Sequence, residues 1–368
     1  MRYGKITQTA WQRSVRKQLH TRGPELLFGP TPWETCSGLA AEGAGGKGFL
    51  WTEAHAYGRS GRTGFYAVLQ AAGELAARGA RICSVSVRVL LRPDAEEEEL
   101  RELTAGIEDA CAGLGICVST FQGEVTPAAA QNTVFVTGAG TIRSEAETRE
   151  IRESSWLETE TRDARESSRP GADPAACGRR DDGSGQEILL CGYAGLEGTL
   201  RVLGEAEEEL KTRFVPAFLA RTEALKDELV MPDQLLAAQR QGGRITAVRQ
   251  IGSGGVLAAL WELAEILHTG LEADLRAVAL KQETVEICEF FRLNPYQMTS
   301  AGSFLIVTED AEIVLNVLEK AGARAGRLGV TKAQNARVIT SGEETRYLDR
   351  PAPDELVRWT AERTGIRE

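Results

Sequence analysis

The sequence predicts a two-domain α+β protein, an α/β N-terminal half followed by an α+β C-terminal half. Three observations predict it. A length of 368 residues suits two domains of ordinary size. Strand-like and helix-like patterns alternate from residue 49 to residue 137. A charged stretch containing Pro and Gly then interrupts the pattern over 143–187, and order returns at Ile188. The expected layout is an N-terminal domain over 1–142, a linker or insertion over 143–187, a C-terminal domain over 188–350 and a tail over 351–368.

In the first half, Phe49-Leu50-Trp51-Thr52 reads as a short strand. Gly61 to Arg78 follows as a helix, with Phe65, Val68, Leu69, Ala72 and Leu75 at helical spacing and Gly79 placed to end it. Ile82 to Leu91 alternates, setting Cys83, Val85, Val87, Val89 and Leu91 on one face of a half-buried strand. Pro93 breaks that strand. Asp94 is placed to cap a helix whose first turn carries Glu97, Glu98 and Glu99, the helix end that favours acidic charge. Leu100, Leu103, Ile107, Cys111 and Leu114 form its apolar stripe, and strands follow around Ile116 to Phe121 and Thr133 to Thr137.

Apart from Trp156, the 143–187 stretch offers little to bury, so it reads as a linker or insertion, with a charged helix over part of it as the alternative. A strand at 188–192 leads into helical material reaching about Gln241. A strand near Arg244 to Ile251 then meets Gly252-Ser253-Gly254-Gly255, and the next helix sets Val256, Leu260, Leu263 and Leu267 on one stripe. A helix at 281–290, a strand at 304–308, a helix at 311–322 and two or three terminal strands complete the second domain.

Lys and Arg total 43 against 53 Asp and Glu, a net charge of −10, so the electrostatic footprint of a general nucleic-acid binder is missing. No apolar run reaches the length of a membrane span, and Met1 to Arg22 has no signal-peptide core. The seven cysteines form no CxxC or Cys/His cluster, a spacing that fits free thiols in a reducing cytoplasm better than a disulfide frame or a zinc site. His20, His55 and His268 stand too far apart in sequence to suggest a ligand cluster. Gly43-Ala44-Gly45-Gly46-Lys47-Gly48 lacks Walker spacing and reads as a hairpin loop.

Several segments carry a family resemblance. They are Gly4-Lys5-Ile6 with Ser14-Val15, the run Tyr193 to Thr199, the run Gly254 to Glu262, the run Lys281 to Cys288, Asn294-Pro295-Tyr296 and Ser300-Ala301-Gly302. They resemble the aminoimidazole ribonucleotide (AIR) synthetase, or PurM-like, superfamily, which includes the hydrogenase expression/formation protein, selenophosphate synthetase and thiamine-monophosphate kinase. The look is that of its AIR synthase-related, hydrogenase-maturation-like (HypE-like) branch. The resemblance implies homodimers whose N-terminal sheets join into one barrel, ATP at that shared interface, and Mg²⁺ held on the phosphates by acidic side chains. The implied chemistry is phosphorylation of a poorly reactive oxygen or selenide.

Where family members carry acidic pairs, this sequence reads Glu34-Thr35, Thr52-Glu53 and Gly73-Glu74. The resemblance therefore implies metal contact from Glu34, Glu53 and Glu74, with one acid lost and two lengthened. Mg²⁺ demands near-octahedral oxygens at about 2.0–2.1 Å, so one extra methylene matters. Three solvated glutamates at an old cleft are the alternative. Gln122-Gly123-Glu124-Val125-Thr126-Pro127 stands where relatives have a glycine-rich phosphate turn, of which Gly123 and Glu124 remain beside a bulky Phe121.

Gly252-Ser253-Gly254-Gly255 precedes a strong amphipathic helix, so amide donors and the helix dipole make it a ready anion seat. Gly254 and Gly255 are candidate contacts to an anionic substrate group, and a turn that simply permits close packing is the alternative. Just before it, Arg249 and Gln250 stand where relatives have His and Asp. Cys36, beside Glu34, is a candidate reactive thiol, and His55, just past Glu53, is within reach of the same cleft.

Two functions follow as expectations. One is ATP/Mg²⁺-dependent, ligase- or kinase-like phosphoryl transfer to an oxygen of an unknown small substrate. The other is a non-catalytic dimeric binding or scaffold protein that keeps the fold. Hydrogenase-maturation relatives end in a cysteine that carries the carbamoyl group. No cysteine follows Cys288 in this sequence, so that nitrile-forming step is not expected.

Overall fold

The structure, a computed structural model, describes residues 3–21, 26–27, 29–40, 48–142 and 184–365. Most of the expected linker, the 43–48 loop up to its last residue, and Cys177 therefore lie outside the described residues.

Alternating apolar residues build the first sheet. Its strands are β1 (Cys36–Ala40), β2 (Gly48–Tyr57), β3 (Arg81–Leu91), β4 (Cys117–Val125) and β5 (Thr133–Thr141), in the spatial order β1-β2-β5-β3-β4. Neighbours run antiparallel except β3 and β4, whose parallel pairing requires a crossover. Ahead of the sheet, Thr7 caps a single helical turn, α1 (Gln8–Trp11). Helices α2 (Thr63–Ala77) and α3 (Glu97–Leu114) cover one face of the sheet. Leu50, Ala54, Val85, Val87, Val89, Val134 and Val136 pack there against Val68, Ala72, Leu75, Leu103 and Ile107. The apolar face of β3 thus finds its partner in helices of its own chain. The opposite face stays open, with Phe49, Glu53, His55 and Arg88 exposed.

Two local expectations are corrected. Register shifts between Ile82 and Ser84 break the alternation of β3, so Ile82 is buried and Cys83 is exposed. Asp94 does not cap α3. Glu96 does, in a capping box with Glu99, while Asp94 pairs with Arg92 at 3.2 Å.

The second sheet has seven strands: β6 (Glu187–Cys191), β7 (Ile245–Gln250), β8 (Gly270–Asp274), β9 (Phe304–Thr308), β10 (Ala325–Lys332), β11 (Arg337–Ser341) and β12 (Glu344–Tyr347). Their order is β12-β11-β8-β10-β6-β9-β7, and all five residues of β9 are buried. The helices are α4 (Leu196–Glu205), α5 (Glu207–Lys211), α6 (Pro216–Ala224), α7 (Pro232–Gln241), α8 (Gly255–Leu267), α9 (Gln282–Phe291), α10 (Ala311–Lys320) and α11 (Glu355–Thr364). Val256, Leu260 and Leu263 of α8 pack with Ile188, Leu190, Leu305 and Val307 on one face. Leu235 of α7 and Val314 and Leu318 of α10 pack with Leu189, Phe304 and Ile306 on the other.

The expected tail over 351–368 contains α11, whose Leu356 and Trp359 pack against Ile287 and Leu293. Helix α2 serves both halves of the molecule. Its Tyr66 and Leu69 pack with Leu196 and Leu200, and its Ala76 joins Phe304. Among the described residues no helix is long and apolar enough to cross a membrane.

Candidate functional site

The seam between the two halves gathers charge. Glu34 precedes β1, Glu74 lies on α2, Arg249 lies on β7 and Glu262 lies on α8. Arg249 donates through Nε and Nη2 to Glu262 Oε2 at 3.0 and 2.6 Å, and its Nη1 lies 3.9 Å from Glu74 Oε2. Lys5 Nζ donates to the other oxygen of Glu262 at 2.7 Å. Thr35 Oγ1 donates to Glu74 Oε2 at 2.6 Å, and Arg78 pairs with Glu34. Burial pushes the Glu262 carboxyl up, but Arg249 and Lys5 override it and hold the group below the usual carboxylate range. Burial likewise opposes the charge of Arg249, and Glu262 and Glu74 reverse that effect.

These residues do not fit a magnesium site. Glu34 and Glu74 face guanidinium groups, which repel a second cation. Glu53 is exposed, while its neighbour Thr52 is buried and donates to the Thr35 carbonyl at 2.7 Å. Strand alternation therefore turns Glu53 to the open face, away from Glu34 and Glu74. Among the described residues, no group of three or more His, Cys, Asp or Glu side chains could hold a metal ion. Cys36 is also no reactive thiol. It is buried, with Sγ 3.4 Å from the Glu74 carbonyl, and burial followed by the charges of Glu34 and Glu74 pushes its pKa up.

The glycine turn does bind an anion, one supplied by the chain itself. Gly254 and Gly255 take φ of 92° and 68°, and a Cβ at Gly255 would stand 2.5 Å from the Tyr296 carbonyl oxygen. The Gly254 amide donates to Asp354 Oδ2 at 2.7 Å, and Oδ1 of the same carboxylate accepts from Leu356 N at 2.8 Å. Burial pushes Asp354 up to about 6, against the lowering effect of those two amides. The expected contact to an anionic substrate at Gly254 is thus already filled, and the close-packing reading of Gly255 holds as well.

Gly123 and Glu124 lie inside β4, paired with Val89 and Leu90, where a phosphate turn was expected. The chain turns only afterwards, at Thr126 to Ala129. His55 is on the open face of β2 with its ring 5.8 Å from Phe135.

Sequence reasoning missed Arg201 and Asp354. Arg201 donates to Glu197 Oε1 and to the Tyr57 carbonyl, both at 3.2 Å, and its charge reaches Asp354. Asp354 was findable as a helix cap before Leu356 and Trp359. A cavity of about 550 Å³ also opens along the seam, lined by Arg59, Arg62, Lys211, Glu205 and Glu223 among others. There the amides of Arg59 and Ser60 both donate to Glu205 Oε1 at 2.7 Å.

Comparisons with known proteins agree with this architecture. Residues 183–341 match the family described as AIR synthase related protein, C-terminal domain. The chain is 25% identical over 310 residues to carbamoyl dehydratase HypE of Rhodobacter capsulatus, covering 81% of this chain and 79% of that one. The fold is similar to that of E. coli HypE, with a TM-score of 0.62 at 19% identity, covering 84% of this chain and 87% of that one. It is also similar to HypE in complex with ATP, with a TM-score of 0.58 at 19% identity, covering 83% of this chain and 87% of that one. With residues 183–341 matched to that domain family and a fold similar to that of HypE, the chain resembles the AIR synthetase (PurM-like) superfamily and, within it, the HypE-like branch.

Proposed function

We propose that this chain is an ATP-linked protein of the hydrogenase-maturation-like kind, acting as a homodimer on an oxygen of a small substrate. The nucleotide lies against the open face of the five-stranded sheet. One observation carries this reading: β2 leaves Phe49, Glu53 and His55 exposed on that face, while α2 and α3 seal the opposite one. Pairing two such faces buries the aromatic residues and leaves Glu53 as the predicted acid that meets the ligand. The HypE structure bound to ATP and the carbamoyl dehydratase relative support the reading. Calorimetry with ATP, ADP and AMPPCP, with and without Mg²⁺, tests it. ATP is expected to bind, and Glu53→Gln is expected to bind it more weakly. No heat with any nucleotide refutes the proposal.

A second reading, a non-catalytic dimeric binding or scaffold protein, is favoured by Arg249, whose guanidinium already faces two of the seam carboxylates. ATP binding with no ADP released over hours selects it.

A further inference from the structure

We infer that Arg249 is a built-in cation at the domain seam, standing where a dissociable metal ion would otherwise neutralise the acids, so the seam binds no metal of its own. This stands whether or not the chain uses a nucleotide. Three carboxylates meet at the seam, Glu34, Glu74 and Glu262, and three cations answer them, Arg78, Arg249 and Lys5. The side chains of Arg249, Glu74 and Glu262 are only 5%, 7% and 4% exposed, so water cannot screen them. An uncompensated buried carboxylate is costly, and a permanently protonated, forked guanidinium is the side chain best suited to prevent it.

A divalent ion entering here would have to displace a guanidinium held by two hydrogen bonds and would then sit beside Lys5 and Arg78. Arg249 is fixed in place by its neighbour. Gln250 lies over Gly73, where a Cβ would fall 1.8 Å from Gln250 Oε1, and Gln250 Nε2 donates to the Gln70 carbonyl at 3.0 Å. The same cation therefore ties together the N-terminal segment through the Glu262–Lys5 pair, α2 through Glu74, and the second sheet.

The test uses the full chain with Mn²⁺ alone, followed by calorimetry and thermal melts. Wild type is expected to melt at the same temperature in EDTA and in Mn²⁺, and to show no Mn²⁺ binding that Glu74→Gln removes. Arg249→Met is expected to melt lower by roughly 10 °C in EDTA. Mn²⁺ should raise that melting temperature, and adding Glu74→Gln should abolish the rise. Saturable Mn²⁺ binding to the wild type that Glu74→Gln or Glu262→Gln abolishes overturns the inference, as does an Arg249→Met protein that melts like the wild type. Should Arg249→Met fail to fold, Arg249→Lys keeps the charge without the fork, and it is expected to melt below the wild type and remain indifferent to Mn²⁺. Mn²⁺ stabilisation of that variant also overturns the inference.

Discussion

The Asp354 carboxylate accepts a 2.7 Å hydrogen bond from the Gly254 amide, so the turn that opens α8 points its donor at an anion carried by the C-terminal segment. The same carboxylate caps α11 through Leu356 N. One side chain thus links the start of one helix to the start of another, 100 residues apart. Gly4 reinforces the junction, since a Cβ there would stand 3.0 Å from Pro353 Cα.

This junction titrates. Burial pushes Asp354 up to about 6, above its value in an unfolded chain. The stabilising contribution is therefore complete below about pH 4 and is lost as pH rises through about 6. Relative to Asp354→Asn, which does not titrate, wild type is expected to lose roughly 2–3 kcal/mol between about pH 4 and pH 7. Urea unfolding of both proteins across that range measures the difference. A difference that stays constant with pH contradicts the assignment.

Gly73 and Gln250 are expected to be coupled. Gly73→Ala drives a methyl into Gln250 Oε1 and should cost on the order of 1–3 kcal/mol. In the Gly73→Ala background, Gln250→Ala should cost less than it does alone, because it removes the clashing, unpartnered Oε1 along with the Nε2 bond to the Gln70 carbonyl. A double-mutant cycle reads the coupling directly, and additive effects would show that the two side chains do not meet.

The open sheet face predicts assembly. Phe49 is 43% exposed on it, beside Glu53, His55 and Arg88. Light scattering is expected to give twice the chain mass for the wild type and the single mass for Phe49→Glu, which places a charge in the joined face. A monomeric wild type at micromolar concentration removes the shared nucleotide site.

Thiol labelling separates the cysteines by burial. Cys83 and Cys117 are exposed, whereas Cys36, Cys111, Cys191 and Cys288 are buried. Burial pushes Cys191 and Cys288 up to about 12. Maleimide is expected to modify Cys83 and Cys117 rapidly in the native protein and the four buried thiols only after unfolding, as peptide mass mapping would show. Rapid native labelling of Cys36 contradicts the buried seam.

Most of the fold was legible because periodicity records burial. The α8 stripe of Val256, Leu260 and Leu263 and the continuous apolar run of β9 both face the core, as their patterns indicated. Strand β8 escaped because Gly270-Leu271-Glu272-Ala273-Asp274 is short and only partly apolar, and long-range pairing with β10 and β11 makes it a strand. The site was less legible. Glu34, Glu53 and Glu74 look equivalent along the chain, yet strand alternation sends Glu53 to the open face, and Arg249, distant in sequence, claims Glu74. Gly123 looked like a turn residue because its β-pairing with Val89 depends on a neighbour outside its own segment.

The order in which strands leave the ribosome gives α2 a particular history. Every strand of the first sheet lies between residues 36 and 141, so that sheet can close before any strand of the second is made. During that interval Tyr66, Leu69 and Ala76 lack their later partners Leu196, Leu200 and Phe304, and Glu74 lacks Arg249. The nascent half therefore carries a helix with a bare apolar flank beside an unanswered acid, and that flank is the surface most in need of shielding while the remaining chain is synthesised.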